Sequence, residues 1–427
     1  MKMQSREYKN IGETLYEATL SNGLRVRVVP KPGFSTCFAA FAVNYGGCHR
    51  SFELDGKRMD TPAGIAHFLE HKMFDMPDGD SALNILNANG ADPNAFTSED
   101  VTCYYFQCTH SFEDNLRLLL KFVSTPYFTP DTVQKEQGII GQEIGMGLDS
   151  PGEAVYYNLY KLLYPNHPVK DRIVGSVESI GEISDKTLYD CYKMFYRPSN
   201  MILAVEGDVN PDAVLKIAEE SLGSELLSVP KAIFPKDESM IPAQKKIVES
   251  MAVSAPQFMI GAKLRPETEG EAALRQSLVA KLALRLLAGY SSPLYLNLYS
   301  KGLLSRNFDY ECNVTAGTGA LLLGGESKNP EKVLGALNAE VQRICRDGLD
   351  EGRFERAKRA SLGARLRGLE DFENVCVALI FCLFDGYCAF DATAMLADIT
   401  KKECEDFIKE HFAPERLALS IIKSKRS

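Results

Sequence analysis

The chain has 427 residues, is 45% hydrophobic and 25% charged, and carries 32 Gly and 20 Pro, a composition that excludes disorder, collagen and coiled coil and leaves room for two or three domains. Lys and Arg number 48 against 57 Asp and Glu, a formal net charge of −9, and no basic run is long enough to track phosphates, so nucleic-acid binding is set aside. Eleven scattered cysteines without a C-x-x-C pair read as reduced thiols of a cytoplasmic protein. The opening MKMQSREYKN lacks the apolar stretch of a signal peptide, and the longest apolar run, 376–384, is too short to span a bilayer.

In chain order, residues 23–30 (GLRVRVVP) alternate polar and apolar, and 37–44 (CFAAFAVN) form a second apolar run, so the chain is expected to open as paired strands. The period then changes: 62–74 follows a Thr-Pro start signal and reads as a short helix. Residues 94–107 read as a turn followed by a strand, and 113–123 as an amphipathic helix. A helix opened by Thr129-Pro130 is expected to about residue 145, although Gly138, Gly141 and Gly145 weaken it. A buried strand at 201–206 and a helix to about 222 close this part. Pro230, Pro235 and Pro242 then mark a linker. The expected division is a first domain at 1–223, a linker at 224–245 and a second domain at 246–427. The second half repeats the order with a strand at 257–264, a helix at 271–288 striped by Leu274, Leu278, Leu282 and Leu286, strands near 307–325, a helix at 330–345 and a last strand at 417–422. The fold class is α+β: two mixed α/β domains, each with helices packed on one face of its sheet.

Chemistry concentrates in His67-Phe68-Leu69-Glu70-His71. On a helix, positions i and i+4 stack one turn apart with i+3 beside them, so two imidazoles and a carboxylate share a face. Neutral imidazoles ligate zinc, and a carboxylate beside the metal can take a proton from water, which suits metal-assisted hydrolysis. With 6 His in 427 residues, the H-x-x-E-H pattern arises by chance on the order of once in 150 such chains. Zinc requires a further protein ligand. Glu136 and Glu143, seven apart on the 129–145 helix, both lie within reach of that role.

HFLEH, GADPNAFTSEDVTCYYF, EQGIIGQEIGMGLDSP, HPVKDRIVGSVESI and FYRPSNMILAVEGDV together resemble the M16 peptidases, the pitrilysin, insulinase and mitochondrial processing peptidase family. The resemblance covers nearly all of the first half and, more weakly, the second. It implies two homologous α/β domains, one bound Zn2+ per chain, His67, His71 and Glu143 as ligands, Glu70 as general base and Glu136 as the carboxylate that orients a ligand. It also implies that Asn94, Ala95 and Phe96 lie on an edge strand that pairs with an extended peptide. By residue type alone, Asn94 equally suits a capped turn after Pro93.

Active homo-oligomeric members carry an Arg and a Tyr in the second domain that clamp substrate. The matching stretch here places Tyr299 and Ser305 at those positions. This resembles the heterodimeric bacterial members, whose zinc-bearing subunit pairs with one that carries the Arg/Tyr pair. HFLEHKMF and SPLYLNLY further resemble a bacterial subgroup named for elongation factor P modification. The expectation is a cytoplasmic zinc endopeptidase that cleaves short or unfolded peptides in a closed chamber, as half of a heterodimer or as a homodimer. The alternative is a catalytically silent peptide-binding or structural subunit of the same fold.

Overall fold

A computed structural model describes residues 2–235, 239–267 and 270–425. Residues 236–238 of the expected linker, and 268–269 and 426–427 of the expected second domain, lie outside the described residues. The chain forms two compact units: Met1–Ile144 with Arg172–Ile233 and Leu366–Phe390, and Gly145–Asp171 with Phe234–Arg365 and Asp391–Ser427.

The first unit is built on a seven-stranded sheet. Its strands are β1 (Gln4–Tyr8), β2 (Glu13–Thr19), β3 (Arg25–Pro30), β4 (Cys37–Val43), β7 (Ala91–Thr97), β8 (Thr102–Cys108) and β9 (Met201–Gly207), in the order β1-β2-β3-β9-β4-β8-β7. β5 (Ser51–Leu54), β6 (Lys57–Asp60) and β10 (Lys231–Ala232) form a small separate sheet. Only β3 and β9 run parallel in the large sheet. The two strands expected to pair, β3 and β4, do not touch as a ladder, because the fully buried β9 lies between them. Alternation reports which residues share a face, not which strand is the neighbour.

β4 is apolar throughout because both of its faces are covered. Ala39, Phe41 and Val43 join the core beneath the Phe112–Val123 helix, whereas Phe38, Ala40 and Ala42 meet Phe372, Cys376 and Ile380 of the Phe372–Phe384 helix. The second face is therefore closed by a helix from late in the chain. Arg27 Nη1 donates to Leu379 O at 3.0 Å and Arg25 Nη1 to Leu383 O at 3.1 Å, placing guanidinium groups on carbonyls at that helix's C-terminal end.

The second unit has the sheet β11 (Lys246–Met251), β15 (Ala418–Ser424), β12 (Gln257–Leu264), β14 (Thr318–Glu326) and β13 (Asp309–Thr315), in that spatial order. β13 and β14 form a hairpin whose turn residues Ala316 and Gly317 both have positive φ, 47° and 73°, the geometry of a tight two-residue connection. The long helix Gly270–Ala288 buries Leu274, Leu278, Leu282 and Leu286, the stripe read from the sequence. The Pro151–Leu163 helix packs on β12 at Gly261, where a Cβ would lie 2.7 Å from Leu159 Cδ2.

A contiguous division at 1–223 and 246–427 therefore misses two exchanges. Residues 145–171 pack with the second unit and 366–390 with the first. Proline-rich composition marks where backbone is extended, but burial of Leu159 or Ile380 decides which core a helix joins.

Candidate metal centre

The helix carrying HFLEH runs Ile65–Lys72 and starts at Gly64, whose φ of 92° and close approach to Val174 O, 2.6 Å from a would-be Cβ, both call for glycine. Phe68 and Leu69 are fully buried in the core. The polar face is buried as well, with His67 and Glu70 each 8% exposed and Lys72 2%. Of the polar face, only His71 is partly exposed, at 28% of its side chain.

What these polar groups meet is the Pro130–Leu148 helix, longer than expected at its end. Gly138, Gly141 and Gly145 have open space where a Cβ would lie, so the helix carries them without any packing role. Val133, Ile140 and Ile144 anchor its inner face, and Glu136 and Glu143 lie two turns apart. The Glu143 carboxylate stands 3.6 Å from His67 Nε2 and 3.9 Å from His71 Nε2. One donor atom from each of His67, His71 and Glu143 lies within 4.8 Å of the others. Two imidazole nitrogens and a carboxylate oxygen are the donor set of a three-ligand zinc site, so these residues fit that metal.

Glu136 is not part of the convergence. Its Oε1 is 3.0 Å from His71 Nδ1, which holds the ring with Nε2 toward Glu143. Its Oε2 is 3.7 Å from Lys72 Nζ, and Lys72 also bonds Asp75. Lys72 is a residue the sequence reading passed over. Its signal was a lysine inside the apolar HFLEHKMF, where a buried ammonium requires a carboxylate partner.

The electrostatics follow from burial and neighbours. Burial and the adjacent His71 charge push His67 down to about 3, which keeps it neutral and ligand-competent at ordinary pH. Burial pushes Glu70 up, partly offset by a hydrogen bond from Thr97. Burial would lower His71, but the Glu136 hydrogen bond and the Glu136, Glu70 and Glu143 charges outweigh it and raise it. Burial would raise Glu136, yet His71 and Lys72 hold it below the usual carboxylate range.

Asn94, Ala95 and Phe96 lie in β7, the edge strand of the seven-stranded sheet, so Asn94 is not in a turn. The turn falls later, at 98–101, held by Ser98. Alternation separates the side chains: Phe96 stacks against Phe381 at 6.3 Å, whereas Ala95 packs on the core of the helix side. Asn94 Oδ1 accepts from Ala95 N at 2.9 Å. Of this segment it is Thr97 that reaches the HFLEH helix, with Oγ1 2.6 Å from Glu70 Oε2. The sequence reading gave Thr97 no role, because register decides which of 96 and 97 faces the helix. Among the described residues no other His, Cys, Asp and Glu side chains converge in this way.

Comparisons with known proteins bear on the whole chain. Residues 55–176 match the family model "Insulinase (Peptidase family M16)" and residues 182–361 match "Peptidase M16 inactive domain". An uncharacterised zinc protease of Bacillus subtilis, YmfH, is 35% identical over 98% of this chain and 99% of its own length. The crystal structure of an M16-like peptidase from Alicyclobacillus acidocaldarius superposes with a TM-score of 0.92 at 30% identity, covering 100% of this chain and 99% of that one. A protease from Helicobacter pylori shares the fold, with a TM-score of 0.81 at 20% identity over 96% of this chain and 99% of its own.

Proposed function

Since the chain belongs to the M16 peptidase family, we propose that it is a zinc-dependent endopeptidase for short or unfolded peptides, with His67, His71 and Glu143 as ligands and Glu70 as general base. The convergence of the three donor atoms within 4.8 Å carries this reading. Zinc, held there by His67, His71 and Glu143, would supply Lewis acidity toward the peptide carbonyl and lower the pKa of a bound water. Glu70 takes the proton from the attacking water and delivers it to the leaving amine. Its burial, which holds its proton affinity up, suits both halves of that transfer. Glu136 holds His71 in the tautomer that leaves Nε2 free to ligate. Edge strand β7 offers unpaired backbone groups to an extended peptide, with Asn94 exposed beside them.

The proposed site of action is the cytoplasm, in keeping with eleven free cysteines. No single helix among the described residues is long and apolar enough to cross a membrane. The proposed assembly is a heterodimer with a family member that carries the Arg/Tyr pair and closes the chamber. Its support is Tyr299, half-exposed and stacked on Tyr295 at 5.5 Å, where active homo-oligomeric members have Arg. The same observation favours the second reading, a silent peptide-binding subunit, against which stands the intact donor set.

Zinc content and cleavage of a mixed peptide library, with the chain alone and with a candidate partner subunit, test the proposal. A single zinc per chain is expected, retained in Glu70→Gln and lost in His67→Ala, with cleavage lost in both. Absence of zinc, or undiminished cleavage by Glu70→Gln, overturns it. Zinc without cleavage in any mixture transfers the assignment to the silent subunit.

A further inference from the structure

A buried general base is useful only if one orientation of its carboxylate is enforced. Glu70 receives one hydrogen bond among the described residues, from Thr97 Oγ1 to Oε2 at 2.6 Å, the short distance of a hydroxyl donating to a carboxylate. The carboxylate can only accept, and a neighbour leaves the single Thr97 proton free for it. Thr97 and Thr102 are register partners across β7 and β8, with hydroxyl oxygens 3.3 Å apart. The fully buried Thr102 hydroxyl donates to Tyr45 O at 2.8 Å. Its proton being spent there, Thr102 does not donate to Thr97, and the single Thr97 proton goes to the nearer, charged Glu70 carboxylate.

The support behind Thr97 is tight. Gly47 N donates to Ser98 O at 2.9 Å and Cys48 N to Glu99 O at 2.8 Å, so the backbone following Thr97 is laced to the segment following β4. A Cβ on Gly46 would lie 2.4 Å from Asp100 N, so the two segments meet at van der Waals limit. Ser98 Oγ accepts from Val101 N at 3.0 Å and closes the turn. A hydroxyl placed by two strands and a clamped turn has little freedom to follow a moving carboxylate. The carboxylate must come to it.

We infer that Thr97 is a positioning residue for the reaction of the candidate metal centre: by holding Glu70 Oε2 it leaves Oε1 as the oxygen that meets the reacting water. This rests on the peptidase reading above. The Thr97 hydroxyl bonds Glu70 and none of the metal donors, and by this account it stays off the substrate, which meets only the β7 backbone. Its loss therefore changes the orientation of the base and not the binding of peptide or metal.

Steady-state peptide cleavage by the full chain, with its partner subunit where activity requires one, tests this with Thr97→Val and Thr97→Ser, alongside zinc content and thermal unfolding. Thr97→Val keeps the β-branched shape and removes the hydroxyl. It is expected to lower kcat roughly tenfold to a hundredfold, the scale of a small misplacement of a reacting group, with KM within about twofold and zinc content and unfolding unchanged. Thr97→Ser restores the hydroxyl and is expected to return kcat to within about threefold of wild type. Wild-type kcat in Thr97→Val, equal damage in Thr97→Ser, or a loss carried by KM or by zinc content overturns the inference while leaving the peptidase reading intact. A wild-type chain that cleaves nothing, with or without partner, overturns both.

Discussion

Two helices, one in each unit, both bury apolar side chains, but only the first buries polar ones beside them. Ile65–Lys72 in the first buries His67, Glu70 and Lys72, whereas Gly270–Ala288 in the second buries Leu274, Leu278, Leu282 and Leu286. Apolar burial stabilises in proportion to area, while a buried charge costs several kcal/mol unless it is paired. The first helix is tolerable because its charges find partners: Glu70 on Thr97, His71 on Glu136, and Lys72 on Asp75 and Glu136. The first helix adds a set of buried polar groups, paired except at His67 Nδ1, to its apolar face, whereas its counterpart in the second unit is organised for packing alone.

Substitutions on the two helices sharpen that contrast. Glu70→Gln is expected to lower cleavage by about 10² to 10⁴-fold, the range of a general base, with zinc retained. Peptide kinetics beside metal analysis check it, and a loss of zinc in this variant would recast Glu70 as part of the ligand shell. Leu282→Ala, a truncation of a residue 1% exposed, is expected to cost roughly 2–5 kcal/mol of stability while leaving zinc content unchanged. A chelator titration that shows weakened zinc in this variant would erase the separation of roles.

Glu136→Gln removes the charge that orients His71 and offsets Lys72, and is expected to weaken zinc about 10–100-fold. Competition against a chelator reads this directly. Unchanged affinity would mean that Glu143 and the helix spacing alone hold the ring.

A pH-dependent effect concerns a buried carboxylate of the first unit that is far from closed pairing. Burial pushes Glu206 on β9 up to about 8, against the pull of Lys31 Nζ at 3.3 Å. The native state thus keeps a proton that the unfolded chain releases near the ordinary value of 4.5. The stability from this group is full below that value and is lost as pH rises through about 8. Glu206→Gln is expected to flatten the decline, and urea midpoints at about pH 5 and about pH 9 measure it. Parallel declines in the two proteins would show that Lys31 already neutralises the ionised group.

Legibility in the sequence followed the range of the interaction. The Leu stripe of Gly270–Ala288, the strand β9 and the hairpin region of β13 and β14 were readable because side-chain period is local. The pairing of β3 with β9, and the capture of 366–390 by the first unit, were not, because they depend on which distant surfaces of matching shape remain uncovered. Asn94 read as a capped turn after Pro93, yet the ladder with β8 holds it extended.

At the candidate site the same line divides the residues. His67, Glu70 and His71 were determined by the sequence alone, since 3.6 residues per turn places i, i+3 and i+4 together wherever the helix forms. Spacing left Glu136 and Glu143 open, and only the family resemblance separated their roles; that Glu143 approaches both imidazoles, that Lys72 balances Glu136, and that Thr97 holds Glu70 are decided physically by tertiary structure. Those contacts join residues that lie between 27 and 76 positions apart in the chain, Thr97 with Glu70 and Glu143 with His67. No local spacing encodes the rotation of one helix about its axis or the register of one strand against another; the packing of Val133, Ile140 and Ile144 and the β7–β8 ladder set both.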